Sequence, residues 1–464
     1  MKSILAWFAL LIVTMFATGS IAAPAQNPWL RPETVPAPAN NATTPVRVEL
    51  GRNLFFDPRL SGSNWISCAN CHNPALGWSD GLPTAIGNNM KILGRATPTL
   101  VNTAYNKIQM WDGRFRTLEE QALGPITAEG EMNQNLDEVL DKLSSIPGYV
   151  ALFAAAYPGE GITKITLGKA IAAYERTIVS NDAPFDRWQR GSERAVDASV
   201  KRGFDVFKGK GRCETCHGGF NFTDDGFHNT GLKGNTDPGR YAKVPLKAMR
   251  GAFKTPTLRD IALTGPYMHD GRYATLEDVI NHYDRGGDKG DNVDEQIQKL
   301  GLTPQEKTDL LAFLHSLTGQ PMQVVVPQLP NRVKGSIGTT AVALNKPVLE
   351  SSLPPVKKLD NNFLPSASDT PNSLVAKYEI LQNDKSFFYK GKQIVTMKVQ
   401  AGDTVQFHNE DKVSHNLYSL SEAKTFDLGT MRKGEIRKMT FDQRGDVQVQ
   451  CAIHTDMLLV LDVR

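Results

Sequence analysis

The clearest chemistry in this chain is carried by two runs of the C-x-x-C-H type, Cys68-Ala69-Asn70-Cys71-His72 and Cys213-Glu214-Thr215-Cys216-His217. Two thiols at this spacing add to the two vinyl groups of one haem, and the adjoining histidine is then held beneath the iron as its proximal ligand. A reactive dithiol, or one zinc site built from both pairs, accounts for the cysteines but not for a histidine directly after each pair. Two covalent c-type haems are therefore expected. The fifth cysteine, Cys451, has no partner left for a disulfide. It lies in Cys451-Ala452-Ile453-His454-Thr455-Asp456-Met457, with His415 upstream in Ser414-His415-Asn416. Cysteine, two histidines and a methionine are the soft ligands of a blue-copper site, the methionine being the weak axial one. One copper ion held by His415, Cys451, His454 and Met457 is expected.

The elements that must position these groups differ along the chain. From about Asn27 to Gly319 the apolar pattern is helical, broken by Gly/Pro-rich loops. Leu136, Val139, Leu140 and Leu143 share one helix face, as do Leu167, Ala170, Ile171, Tyr174 and Ile178. A third helix carries its own end signals: Thr303 as N-cap, Pro304 in the first turn, Glu306 completing a capping box, and Gly319 closing it. A stretch of scattered proline, serine and asparagine follows, read as a linker that wraps over a neighbouring domain. Beyond Lys377 the period becomes two. Thr404–Phe407, Val447–Gln450 and Leu459–Val463 read as strands, with Gly402, Gly434 and Gly445 in turns. At the other end, a basic start, an apolar run from Ile4 to Phe16 and A-x-A-like sites near Ala22 to Ala25 read as a secretory signal peptide. The run is shorter than the ~20 residues a bilayer needs, so export to the periplasm is expected, with no membrane span after cleavage. A net charge of +3 excludes nucleic-acid binding by bulk charge.

The helical part, Val46 to Gly319, resembles the bacterial di-haem cytochrome c peroxidases and the related MauG enzymes. Beyond the haem motifs the resemblance rests on Leu60-Ser61-Gly62-Ser63, Trp111-Asp112-Gly113-Arg114, Phe253-Lys254-Thr255-Pro256-Thr257-Leu258-Arg259 and Pro266-Tyr267-Met268-His269-Asp270-Gly271. The last ninety or so residues resemble the cupredoxins, through the copper-ligand loop, Ala401-Gly402-Asp403-Thr404-Val405 and Phe407-His408-Asn409. His408 is expected to pack or face solvent.

The resemblance implies a multidomain architecture of two mainly α, cytochrome-c-like haem domains followed by an all-β cupredoxin sandwich. The divisions are a signal peptide (1–25), a first, peroxidatic haem domain (26–190), a second, electron-transfer haem domain (191–322), a linker (323–375) and the copper domain (376–464). It also implies roles. His72 serves the peroxide-reactive haem, Glu131 matches the family's distal glutamate, Gln121 its distal glutamine, and Trp111 the tryptophan between the haems. A carboxylate at the position of Glu131 can take a proton from peroxide and return it to the leaving oxygen. Ordinary peroxidases carry a histidine that caps the first iron until the other haem is reduced. Asn88 stands in that place, and no histidine lies between His72 and His217. An open first iron, as in MauG, is expected.

Tyr283, Met268 and His269 are candidates for the sixth ligand of the second haem. The resemblance to MauG points to Tyr283, with Met268 the alternative. A calcium ion between the haem domains is implied through carbonyls matching Thr264 and Pro266, although the asparagine expected on the first domain is Ala96 here.

The expected function is peroxide reduction to water, with electrons relayed through the second haem and the copper. Electrons would come from a small redox protein, a cytochrome c or a cupredoxin. The alternatives are a MauG-type oxidase of a partner-protein side chain, favoured by Asn88 and Tyr283, and a haem/copper electron carrier without peroxide chemistry.

Overall fold

A computed structural model describes residues 27–288, 290, 292–331 and 375–464. The expected signal peptide and most of the expected linker lie outside the described residues. The helical region contains α1 (Pro45–Phe55), α2 (Cys68–Cys71), α3 (Leu118–Gln121), α4 (Gly124–Thr127), α5 (Leu136–Ser144) and α6 (Pro147–Ala156). It continues with α7 (Lys164–Glu175), α8 (Pro184–Gln189), α9 (Ala198–Lys208), α10 (Leu276–Asp284) and α11 (Pro304–Ser316). Among the described residues no single helix is long and apolar enough to cross a membrane.

Two helix crossings organise this region, and each is made at a glycine. A Cβ on Gly51 of α1 would come within 1.9 Å of the Ala170 carbonyl of α7, and one on Gly203 of α9 within 1.9 Å of the Asp309 carbonyl of α11. Only a residue without a side chain lets the backbones approach so closely. Around the first crossing Leu50, Leu54, Val139, Leu143, Tyr149, Phe153, Leu167 and Ile171 form one core. Around the second, Phe185, Phe204, Phe207, Phe222 and Phe313 pack with Trp29. Trp29 meets Phe204 edge-on at 5.1 Å, and such pairs add about 0.5–1.5 kcal/mol each beyond burial. Trp29 precedes the first haem motif in sequence, yet it belongs to the core that surrounds the second.

The end signals of α11 are met: Thr303 Oγ1 accepts the Glu306 N–H, and Glu306 Oε2 accepts the Thr303 N–H at 2.7 Å. Two expectations need correction. Gly319 does not close α11, whose C-cap is Leu317. Its N–H donates to Asp260 and its Cα faces the Asn181 carbonyl, 2.7 Å from where a Cβ would sit. Close approach, not a helix end, calls for glycine there. Ile178 is buried beyond the end of α7 rather than on its face. The start of the expected linker runs back over the first core, where Arg52 and Arg59 donate to the carbonyls of Val325 and Pro330.

A short hairpin-like pair, β1 (Phe227–His228) with β2 (Phe253–Lys254), lies within the helical region. The C-terminal region is all-β, as the period-two pattern requires. It contains β3 (Tyr378–Asn383), β4 (Ser386–Tyr389), β5 (Lys392–Gln393), β6 (Thr396–Val399), β7 (Asp403–Asn409), β8 (His415–Ser421), β9 (Lys424–Met431), β10 (Ile436–Phe441), β11 (Gly445–Cys451) and β12 (Leu458–Val463). One sheet has the order β10-β7-β3-β4-β5 and the other β6-β12-β11-β8-β9. Alternate residues such as Val405, Phe407, Val447, Val449, Leu459 and Leu461 fill the space between them. This is the expected cupredoxin-like sandwich. Its core is continuous with Ile108, Phe227, Leu246, Met249 and Ala252 of the helical region.

Candidate haem and copper sites

The first C-x-x-C-H run forms α2, opened by a reciprocal cap in which the Ser67 N–H and hydroxyl both donate to the Asn70 side chain. His72 follows as the C-cap, and its Nδ1 meets the Trp78 carbonyl at 3.1 Å. That bond fixes Nδ1 as the protonated nitrogen and leaves Nε2 as the ligand, the usual arrangement behind a metal-bound imidazole. Burial pulls His72 below the ordinary histidine range, which keeps Nε2 unprotonated. Burial also pushes Cys71 up to about 11, helped by the nearby charges of Asp80 and Glu131. Glu131 therefore stands close to this motif.

Of the residues matched to the distal side, Asn88 and Glu131 lie together. The Asn88 N–H donates to the carbonyls of Gly130 and Glu131, at 3.1 and 2.9 Å. Asn88 thus sits against the backbone that carries Glu131. Burial raises the Glu131 carboxyl above the ordinary range, and the Arg114 guanidinium, 4.0 Å away, partly pulls it back. Arg114 is held by Asp112, which also binds Arg95, and Arg95 reaches Asp237. Gln121 Nε2 contacts Met110 Sδ, while its Oε1 is buried without a partner. Trp78 Nε1 and Glu175 Oε2 are buried without partners too. The orphaned atoms of Trp78 and Glu175 lie beside the first motif, as expected where a bound group completes the interior.

The second run repeats the arrangement: His217 Nδ1 meets the Phe222 carbonyl at 2.8 Å, and burial again lowers the imidazole. Cys213, Cys216 and His217 line a largely apolar cavity together with Trp111, Leu258, Met268, His269, Ile280 and Tyr283. All three candidates for the sixth ligand thus border this cavity. His269 is stacked on Phe253 at 3.6 Å, and burial pulls it down to about 4. Met268 sits in the left-handed backbone region, φ +74°, at a tight turn. The Tyr283 hydroxyl is tied to no neighbouring group among the described residues, unlike those of Tyr267 and Tyr273. Burial, with Cys216 and Cys213 alongside, raises it well above the ordinary tyrosine range. Trp111 lines this cavity, and its Nε1 donates to the Ala96 carbonyl at 2.9 Å.

In the β-sandwich, β8 and β11 are antiparallel neighbours with Cys451 opposite Leu417. The start of β8 and the end of β11 therefore share one end of the sheet, which brings His415 to Cys451. The loop from Cys451 returns to β12 through a Met457 N–H···O His454 bond of 3.2 Å and a Cys451 N–H···O Met457 bond of 3.1 Å. Cys451 Sγ lies 3.6 Å from His415 Nδ1 and 3.7 Å from His454 Nδ1, and the two nitrogens are 3.0 Å apart. The point equidistant from three atoms so spaced is about 2.0 Å from each, the length of a metal–ligand bond. Asp411 holds the other nitrogen of His415 at 3.2 Å. Met457 is buried beside them. The donor set fits a copper ion. His408 lies on the other sheet, half-buried between Glu379 and Glu410, as expected.

The copper-ligand loop is packed on the helical region. The Phe227 N–H of β1 donates to the Ile453 carbonyl at 3.1 Å, Lys107 pairs with Asp456, and Lys385 stands 3.6 Å from Asp224.

The family model for di-haem cytochrome c peroxidase matches residues 45–194. The methylamine utilization protein MauG of Methylorubrum extorquens is 48% identical over 305 residues, 65% of this chain and 86% of that protein. The chain belongs to the di-haem cytochrome c peroxidase/MauG family. The cytochrome c551 peroxidase of Pseudomonas aeruginosa is 37% identical over 292 residues, 61% of this chain and 81% of its own. Among solved structures, a MauG-like protein associated with microbial copper homeostasis superposes with a TM-score of 0.59 at 32% identity, covering 63% of this chain and 95% of that one.

Membership of this di-haem family accounts for both C-x-x-C-H runs. It does not decide the calcium. The Ala96 carbonyl already accepts from Trp111, and its N–H donates to His269. Among the described residues, the clusters of three His, Cys, Asp or Glu ligand atoms lie elsewhere.

Several residues around the sites were not singled out by sequence. Arg114 was read only as part of a motif. Glu175 gave no signal beyond its place in an amphipathic helix. His228, held by Asp294 at 2.7 Å and Asp224 at 3.2 Å, draws its partners from two segments, one of them its own. Despite burial, Asp224 is held far below the ordinary range by His228, with Lys385 and His454 also in reach.

Proposed function

We propose that this chain is a periplasmic peroxidase that reduces hydrogen peroxide to water, drawing electrons through its second haem and a copper centre in the β-sandwich. The reading takes 26–190 and 191–322 as the two haem domains and 376–464 as the copper domain. The observation that carries it is the grouping of Glu131, Arg114 and Asn88 beside the first haem motif, with the carboxyl raised by burial. A pure electron carrier has no use for a tuned carboxyl there.

Cys68, Cys71 and His72 would hold the first haem, which when bound would supply one-electron redox chemistry at iron. Glu131 accepts a proton from one peroxide oxygen and returns it to the other as water leaves, a role served by a pKa drawn toward neutrality. Arg114 keeps that pKa from rising too far. Gln121 offers a neutral hydrogen-bonding group that orients peroxide without competing for its proton. Overall, peroxide, two protons and two electrons give two waters. Trp111, bordering the second cavity, passes electrons between the haem domains, and Tyr283, with its hydroxyl unengaged, would bind the second iron, with Met268 the alternative. A small redox protein, a cytochrome c or a cupredoxin, is the external donor.

Asn88 and the unengaged Tyr283 hydroxyl favour a second reading, oxidation of a side chain on a partner protein as in MauG. Titrating the fully oxidised protein with peroxide, followed by optical and EPR spectra, separates the readings. Prompt return to the starting spectrum on adding a reduced small redox protein supports the peroxidase. An oxidised spectrum that such a donor discharges only slowly supports the partner oxidase, and no response to peroxide defeats both.

A further inference from the structure

The contact between the copper loop and β1 is more than packing, because it joins two candidate redox sites by a short run of bonded atoms and one through-space step between His228 and Cys216. Ile453 immediately precedes the copper ligand His454, and its carbonyl accepts the Phe227 N–H at 3.1 Å. The next residue of β1 is His228. Its imidazole borders the cavity of the second haem motif, and its ring nitrogen, Asp224 and Cys216 Sγ all lie within 4.8 Å of one another. Asp294 and Asp224 each bond one nitrogen of that ring, so it has one orientation. Cys216 is one of the two attachment points of the second haem.

The interface also hides the edge of the copper site. His454 is 4% exposed and Ile453 7%, while Phe227 beneath them is 1% exposed. The two sides are pinned by Lys107 with Asp456 on the copper loop, by Lys385 with Asp224, and by Arg432 with Glu295. The buried surface is continuous, since Phe227, Leu246, Met249 and Ala252 share one core with Ile453, Met457 and Leu417. An external redox protein cannot reach His454 across this face without displacing the whole domain.

We infer that the copper site and the second haem form a fixed redox pair within one chain, coupled through His454, the Ile453 carbonyl, the Phe227 N–H, His228 and Cys216. The inference rests on the copper and haem assignments above, but not on peroxide being the oxidant. In each event one electron crosses. The copper changes between cuprous and cupric as the second iron changes in the opposite sense between ferrous and ferric, and no bond or proton changes place. The external donor then meets the copper from another face of the sandwich, or reduces the haem domains directly.

The test is pulse reduction of the fully loaded, oxidised chain under anaerobic conditions, without peroxide, followed at the copper band and the haem Soret bands. The expected result is a first-order relaxation, independent of protein concentration, in which the copper and second-haem signals change together. His228→Gln should slow it by about tenfold or more, with copper and haem spectra unchanged. A second measurement needs no variant: in the full chain, hydrogen exchange at the Phe227 amide should be strongly protected. A concentration-dependent relaxation, a wild-type rate in His228→Gln, a first haem that changes with the copper before the second does, or free exchange at Phe227 would each overturn the inference. Because no peroxide is present, failure of the peroxidase reading leaves this result standing, and failure here leaves peroxide turnover to be judged by itself.

Discussion

His415 Nδ1 and His454 Nδ1 face each other at 3.0 Å, and both face Cys451 Sγ. Two ring nitrogens so close cannot both carry protons. Against the effect of burial, His415 and His454 hold the Cys451 thiol well below its ordinary range. Lone pairs and a thiolate converging on one point are the electronic arrangement that a soft cation satisfies.

Cys451→Ser should therefore abolish the thiolate-to-copper absorption band and most of the bound copper, while both haems stay attached. Metal analysis and the pyridine haemochrome of the same sample check this. Loss of haem along with the copper would break the assignment of separate sites.

Glu131→Gln should slow reaction with peroxide by roughly 10²–10⁴-fold with little change in the haem spectra. Peroxide must first lose a proton to the carboxylate, so the wild-type rate should rise with pH through the Glu131 pKa, above its ordinary 4.5. Arg114 favours the charged carboxylate. Arg114→Gln should therefore move that rise to higher pH, and Glu131→Gln should remove it. Stopped-flow rates across pH give the answer.

Since asparagine is a poor iron ligand, the fully ferric protein should react with peroxide without prior reduction. Asn88 is anchored through its N–H to Gly130 and Glu131, so Asn88→His should present an imidazole from the same place. Activity of that variant should then depend on pre-reduction. An oxidised wild type that is inert until reduced would show that another residue closes the site.

Tyr283→Met should raise the reduction potential of the second haem, because a thioether favours the ferrous state more than a phenolic oxygen does. Redox titration followed by optical spectra measures it. If Tyr283→Phe leaves the spectrum and potential unchanged, the tyrosine is not a ligand and Met268 takes its place.

Glu175 should make stability depend on pH. Burial pushes its carboxyl up to about 8, from 4.5 in the unfolded chain. Between those values the folded state holds a proton that the unfolded state has lost, so stability falls as pH rises through the window. At about 1.4 kcal/mol per unit the effect is of order a few kcal/mol. Glu175→Gln should flatten the fall, which urea midpoints at pH 5 and pH 9 will show.

What could be read from sequence was whatever lies contiguously along it. The cysteine runs and the loop from Cys451 to Met457 put their ligands within a few residues, so spacing alone gives the chemistry. The strands of the sandwich and the cap of α11 are equally local. The pairing of His228 with Asp294 and the seat of the Cys451–Met457 loop on Phe227 are made by tertiary contact. Asp224, four residues before His228, is local, but that spacing in a loop does not by itself announce the contact. Gly319 shows the opposite error: a glycine soon after a helical pattern suggests a cap, but close passage of Asn181 is what requires it.

The placement of Trp29 has a bearing on how the molecule is made. This ring precedes both haem motifs in the chain, yet it packs against Phe204 and Phe222, and Phe313, which completes the same core, lies in the last helix before the linker. The chain's leading end therefore stays unsatisfied until nearly all of the haem region exists. The second core cannot close until both ends of the haem region meet, and α11 completes the core against which Cys213 packs.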